Sequence, residues 1–106
     1  MAGMTEATYF ILVALMEEPL HGYGIIKQAR TQSLGEVDLA VGTLYSALDR
    51  LSETGWVRLD REETVNGRPR RYYRITDDGV CAVRAQAARL QRAAALILRP
   101  SGVTSV

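Results

Sequence analysis

"WVRLDREETVNGRPRRYYRIT", residues 56–76, decides how the rest of the chain is read. Side chains alternate at both of its ends. Val57 and Leu59 fall on one face with Arg58 and Asp60 on the other; Tyr73 and Ile75 fall on one face with Arg70, Tyr72 and Arg74 on the other. A period of two marks a strand with one buried side. Asn66-Gly67 between the two runs is a strong turn signal, so the stretch predicts a β-hairpin. A regular ladder closed by a two-residue turn there would set Leu59 against Arg74 and mix apolar with charged side chains. Keeping Leu59 opposite Tyr73 or Ile75 demands an odd loop or a bulge, because a slip of one residue turns every side chain over. The expectation is a tip looser than a two-residue type I′ turn, with Pro69 removing a ladder donor beside it.

The same stretch concentrates charge. Arg68, Arg70, Arg71 and Arg74 lie close together with no acid among them, although the whole chain carries a net charge of only +1. Residues 1–65 hold five bases and ten acids, whereas residues 66–106 hold eight arginines and two acids. The balance therefore conceals a basic half, which hints at a polyanionic partner.

Upstream, "TEATYFILVALMEE" (5–18) reads as a helix with Thr5 as its cap and Glu6 at the positive end of its dipole. Residues 9–16 are apolar on every side, so burial on most faces is expected, with Pro19 as the stop. A second helix lies within "LHGYGIIKQARTQS" (20–33), with Tyr23, Ile26 and Ala29 as its apolar marks. Glycines 22 and 24 suggest a close backbone approach at its start, and Gly35 closes the region. A third, "VGTLYSALDRLSETG" (41–55), carries Leu44, Leu48 and Leu51 as an inner stripe and Gly55 as its stop. Trp56 reads as core at the junction of this helix with the first strand.

Downstream, Thr76 or Asp77 can cap a fourth helix running to about Arg99. Val80, Val83, Ala87, Leu90, Ala94 and Ile97 recur at alternating spacings of three and four, a heptad seam. The seam suits a two-fold contact with a second copy, made together with the first helix, although the same residues could equally pack on the chain's own first helix. Cys81 beside it reads as a small buried hydrophobe.

One cysteine leaves no internal disulfide and no cysteine-based metal cage, and one histidine, His21, leaves no metal cluster. No nucleophile, base and orienting group assemble, so an enzyme is not expected, nor is a cofactor. The apolar run "YFILVALM" is too short to span a membrane, and no basic leader precedes it, so a cytoplasmic location is expected. The fold class is mainly α with a small β-hairpin: a winged helix-turn-helix over residues 1–76, a C-terminal dimerisation helix over 77–99 and a flexible tail over 100–106.

"LHGYGI" (20–25), "GTLYSALDRL" (42–51), "GW" (55–56) and "GRPRRYYRIT" followed by Gly79 occur in an order that resembles the PadR family of bacterial transcriptional regulators. The likeness covers roughly residues 7–79. Ser46 stands where the family often has proline, Gly24 where it often has an acid, and Ala40 where a hydroxyl residue commonly caps the third helix. The resemblance implies a homodimeric DNA-binding regulator, usually a repressor released by a small-molecule effector. Residues 77–99 contain no aromatic side chain for a stacking pocket between paired last helices.

The residues suited to double-stranded DNA with a pseudo-palindromic operator follow from size and charge. Gly42, Thr43, Tyr45 and Ser46 lie near the start of the third helix, where short polar groups meet base edges and phosphates, and Arg50 sits further along. Gly67, Arg68, Arg70 and Arg71 form the hairpin tip, and arginine suits a narrow minor groove. Competing roles are a capping Thr43, a core Tyr45, Arg50 paired with Asp49 or Glu53, and wing arginines paired with Glu62 and Glu63. Arg58, Arg61 and Arg74 are expected to stay in such pairs. An alternative of another class is a winged-helix module binding an acidic protein; the small polar residues at 42, 43 and 46 favour DNA over it.

Overall fold

Thr5 sets the first helix. Its Oγ1 accepts a hydrogen bond from the Thr8 amide at 3.1 Å, and α1 (Glu6–Ala14) follows. The structure, a computed structural model, describes residues 4–99; the expected flexible tail over 100–106 lies outside the described residues. α1 ends four residues short of the expected Glu18. The Leu15 and Met16 amides bond to the carbonyls of Leu12 and Val13, both at 3.1 Å, a tightened last turn that still delivers Leu15 to the core.

A short strand, β1 (Leu20–His21), leads into α2 (Gly22–Gln32), and α3 (Val41–Thr54) follows after a turn. That turn is held from within. Val37 and Leu39 are buried, the Val37 amide donates to Ser33 Oγ at 2.8 Å, and Arg30 of α2 reaches Asp38 at 2.7 Å. α2 and α3 end in the same way. At α3, Gly55 is left-handed (φ 89°), its amide bonds to Ser52 O at 3.1 Å, and the Trp56 amide bonds to Leu51 O at 2.9 Å. At α2 the left-handed conformation begins at Leu34 (φ 56°) and continues at Gly35 (φ 85°), the residue expected to close the region. The Leu34 and Gly35 amides bond to Thr31 O and Arg30 O at 3.2 and 2.8 Å. Leu34 is also 90% exposed, so it holds a disfavoured backbone conformation without burial in return. Replacing Leu34 by asparagine should raise the unfolding free energy by about 0.5–1 kcal/mol, read by urea denaturation.

β2 (Val57–Val65) and β3 (Arg68–Ile75) form the hairpin, and Leu59 faces Tyr73 as expected. The irregularity sits elsewhere than anticipated. Val65 pairs with Arg68, so only Asn66 and Gly67 form the tip, and both have positive φ (52° and 77°), as a type I′ turn requires. The expectation of a looser tip is therefore corrected. The register shifts between Leu59 and Arg61, a bulge at Asp60 that corrects the phase at mid-strand. Asp60 then serves two arginines, Arg61 at 3.1 Å and Arg74 at 3.7 Å. β1 adds a third strand through Leu20 opposite Tyr73 and His21 opposite Tyr72, giving the order β1-β3-β2. Two residues are too short to carry a period, so the sequence predicts only two strands.

Ile11, Leu12, Leu15, Ile25, Leu44, Leu48 and Val57 are the large side chains at the centre of the core, with Trp56, Tyr73 and Ile75 packed against it. The whole is mostly helical with a small antiparallel sheet: the expected winged helix-turn-helix followed by one long helix. That last helix, α4 (Asp77–Leu98), is anchored by Thr76. Its Oγ1 accepts from the Gly79 amide at 3.0 Å and donates to Gly55 O at 2.6 Å, and its own amide donates to Trp56 O at 2.9 Å. Val83 joins the chain's own core and Val80 is half-buried. The seam is thereby divided: its first turns cover α4's own domain, while Ala87, Leu90, Ala94 and Ile97 stay exposed. Cys81 is exposed too, contrary to its reading as a buried hydrophobe.

Candidate nucleic-acid interface

α3 buries Leu44, Ala47, Leu48 and Leu51, and this inward stripe turns the rest of the helix outward. Gly42, Thr43, Ser46 and Arg50 are all exposed, and Tyr45 is 42% exposed. Neither Ala40 nor Thr43 caps the helix with its side chain, so its first amides remain available to an anion. Arg50 makes no ion pair among the described residues, which leaves the expected pairing with Asp49 or Glu53 unrealised.

The hairpin projects as a wing. Arg68 is exposed at the tip beside Gly67, Arg70 is half-buried, and neither is ion-paired among the described residues. Arg71 instead donates to Glu62 at 3.1 Å across the ladder, so the structural pairing expected as a competing role holds for it in the free protein. Arg61 is tied to Asp60 and Glu63 and lies over the Tyr72 ring at 3.9 Å. Its bond to Glu63 holds that carboxyl below the usual carboxylate range.

Wing and helices meet in an open cleft of about 540 Å³, lined by His21, Gly22, Tyr23, Tyr45, Pro69, Arg70 and Arg71. The fold thus brings Tyr45 together with Arg70 and Arg71, while Thr43, Ser46 and Arg50 face outward beyond the cleft. His21 and Tyr23 are lining residues that the sequence reading misses. Tyr23, expected on the apolar stripe of α2, is 74% exposed, and Ile25, Ile26 and Ala29 form the buried side. The available signal is the glycine at 22. A Cβ there would stand 2.5 Å from the Tyr45 hydroxyl, so glycine lets α2 start directly against α3. His21 stacks edge-on against Tyr72, with ring centroids 5.4 Å apart. Partial burial, then the neighbouring Arg70 guanidinium, push its pKa below the ordinary histidine value.

A second concavity of about 410 Å³ lies between α1 and α4, lined by Met4, Thr5, Glu6, Tyr9, Phe10, Gln86 and Leu90. α1 therefore supplies beside α4 the aromatic rings that residues 77–99 lack. Among the described residues no cluster of metal-ligating side chains occurs, and no helix is long and apolar enough to cross a membrane.

Three solved proteins show how far this arrangement is shared. A transcriptional regulator from Clostridium thermocellum is 28% identical and superposes with a TM-score of 0.72 over 85% of this chain and 87% of its own. A PadR-like transcription factor from Bacteroides fragilis is 26% identical, with a TM-score of 0.72 over 85% and 84%. Bacillus subtilis PadR, solved in complex with operator DNA, is 21% identical, with a TM-score of 0.71 over 81% of this chain and 48% of its own, and shares the fold. No curated protein matches the chain by sequence. The sequence model of the PadR-like family of transcriptional regulators matches residues 11–85, from the end of α1 through α2, α3 and the wing into the start of α4. With most of its length inside that match, the chain belongs to the PadR-like family and is a transcriptional regulator rather than an enzyme.

Proposed function

We propose that the protein is a homodimeric, sequence-specific DNA-binding repressor that reads a pseudo-palindromic operator and is relieved by a small-molecule effector. The observation that carries the reading is the shared outward presentation of two elements. The start of α3 offers Gly42, Thr43 and Ser46, and the wing offers Arg68 and Arg70 with no carboxylate partner among the described residues. Short polar groups on a helix start suit base edges and phosphates, and guanidiniums on a narrow finger suit the backbone and minor groove. Bacillus subtilis PadR, of the same fold, binds operator DNA. Dimerisation is supported by the exposed half of the α4 seam, Ala87, Leu90, Ala94 and Ile97. The concavity between α1 and α4 includes Leu90 of that seam, so a small apolar ligand seated there would touch the surface that sets the spacing of two reading heads.

Selection of sites from random duplex DNA tests the class. A two-fold symmetric consensus is expected, and recovery of no enriched sequence would remove the proposal. Two substitutions test the roles. Arg68→Ala with Arg70→Ala should weaken binding by a similar factor across sequences. The same change should flatten the salt dependence by roughly one unit of slope for each phosphate no longer neutralised. Gly42→Ala should leave the fold intact, since a Cβ at 42 meets nothing within 4 Å. It should nevertheless weaken operator binding by about tenfold, the cost of roughly 1.4 kcal/mol for a backbone held further from the DNA.

A further inference from the structure

The wing cleft contains a group whose role goes beyond a fixed positive charge. Five side chains with donors converge on it: His21, Tyr23, Tyr45, Arg70 and Arg71. None of its lining residues is an acid; Glu63 is bonded to Arg61, away from the lining, while Glu62 holds Arg71 at the cleft edge and must release it for that guanidinium to bind an anion. The cleft of about 540 Å³ has room for a tetrahedral anion and its flanking sugars. We propose that it seats one DNA backbone phosphate and that His21 binds this phosphate as the imidazolium, so that each half of the protein takes up a proton when it closes on DNA. The proposal rests on the DNA-binding reading of the wing and α3.

The groups around His21 make it a coupled site. From β3, Arg70 lies close enough to perturb it, Tyr72 stacks against its ring, and Arg71 lines the cleft with it. From α3 comes the Tyr45 phenol and from α2 the Tyr23 phenol. From β2, Arg61 covers the Tyr72 ring and is itself bonded to Glu63. In the free protein, burial and then Arg70 hold the imidazole below its ordinary pKa, which favours the neutral ring. A neutral imidazole has one donor, whereas the imidazolium has two, and a phosphodiester offers only acceptors. A phosphate in the cleft cancels the field of Arg70 and adds a negative charge beside the ring. Both changes favour the charged form.

The direction of the effect follows from linkage. A group whose pKa is higher in the complex than in the free protein strengthens binding as pH falls from the bound pKa to the free one, and contributes no slope outside that window. One proton per half-site gives at most about tenfold in affinity per pH unit, and two half-sites give at most about a hundredfold. His21 is the only histidine, so its ring resonances are assigned without ambiguity.

The test uses the full-length chain and the duplex recovered by site selection, titrated at pH 6, 7 and 8 at constant ionic strength. The wild type should bind at least about tenfold tighter at pH 6 than at pH 8, whereas His21→Gln should bind almost equally at the three values and match the wild type at pH 8. A proton NMR titration of the His21 ring should show its midpoint moving up when duplex is added, a readout that does not depend on the variant folding. A flat wild-type profile, an equal slope in His21→Gln or a midpoint that stays put or falls would overturn the proposal while leaving DNA binding intact. Absence of binding at every pH would instead remove the DNA reading, and this proposal with it.

Discussion

Replacing Leu90 and Ile97 together by glutamate should yield a monomer that no longer retains its specific duplex, if the proposed dimer forms through α4. In the single chain these side chains are 47% and 83% exposed, so neither contributes to the core built around Ile11, Leu44 and Val57. Their neighbours Leu96 and Leu98 are also exposed. An apolar strip of this kind on a 22-residue helix suits a covering surface, and in the proposed dimer a second α4 aligned on the same heptad would supply one. Burying a leucine or isoleucine contributes about 1.5–3 kcal/mol, so two such residues on each protomer account for several kcal/mol of association. A glutamate at the same place must be desolvated or leave the interface. A protomer freed in this way carries one reading helix and one wing, and it loses the local concentration that makes engagement of the second half-site nearly intramolecular. Affinity should fall by roughly 10²–10⁴-fold. Sedimentation at micromolar concentration and titration with duplex measure both effects. A variant that still sediments as a dimer would place the interface elsewhere.

Gly79→Ala has the second large effect, on stability. A Cβ at 79 would fall on the Trp56 carbonyl oxygen and stand 2.7 Å from Ile75 Cγ1. The oxygen cannot yield. It accepts the Thr76 amide at 2.9 Å, and Thr76 is itself tied to Gly55 O and to the Gly79 amide. The end of α3, the last residues of β3 and the first turn of α4 thus share one junction, and a methyl group prises it apart. Overpacking of this kind costs about 3 kcal/mol. For a domain of this size that lowers Tm by roughly 12–20 °C. Gly42→Ala is the internal comparison, because a Cβ there meets open space. If calorimetry gave the two variants the same Tm, the junction would be far looser than its hydrogen bonds indicate.

Elements with a full period are legible in the sequence. The stripe Leu44, Leu48, Leu51 locates α3, Gly55 marks its end, and Thr5 and Thr76 mark the starts of α1 and α4 through hydroxyls that accept amide bonds. The phase conflict between Leu59 and Arg74 correctly demands an extra residue in the hairpin, but it does not say where. Two turn residues with positive φ suit a tight tip, so the extra residue sits at Asp60, where the bulge also offers a carboxylate to Arg61 and Arg74. Leu34 is illegible because a left-handed leucine contradicts local preference; closure of α2 imposes it. His21 and Tyr23 escape for a different reason. Both lie in "LHGYGI", but that stretch by itself gives them no role, and only the approach of α2 to α3 at Gly22, together with the folding back of β3, sets them opposite the wing arginines.

The chain by itself determined the order of elements, the apolar face of most helices and the clustering of arginine at the hairpin, because periodicity, caps and charge act over a few residues at a time. Only the tertiary structure decided which charges remain unpaired, how the α4 seam divides between its own core and an open surface, and which residues converge on the cleft. Those outcomes depend on distances between segments far apart in sequence, and packing, not local preference, sets such distances.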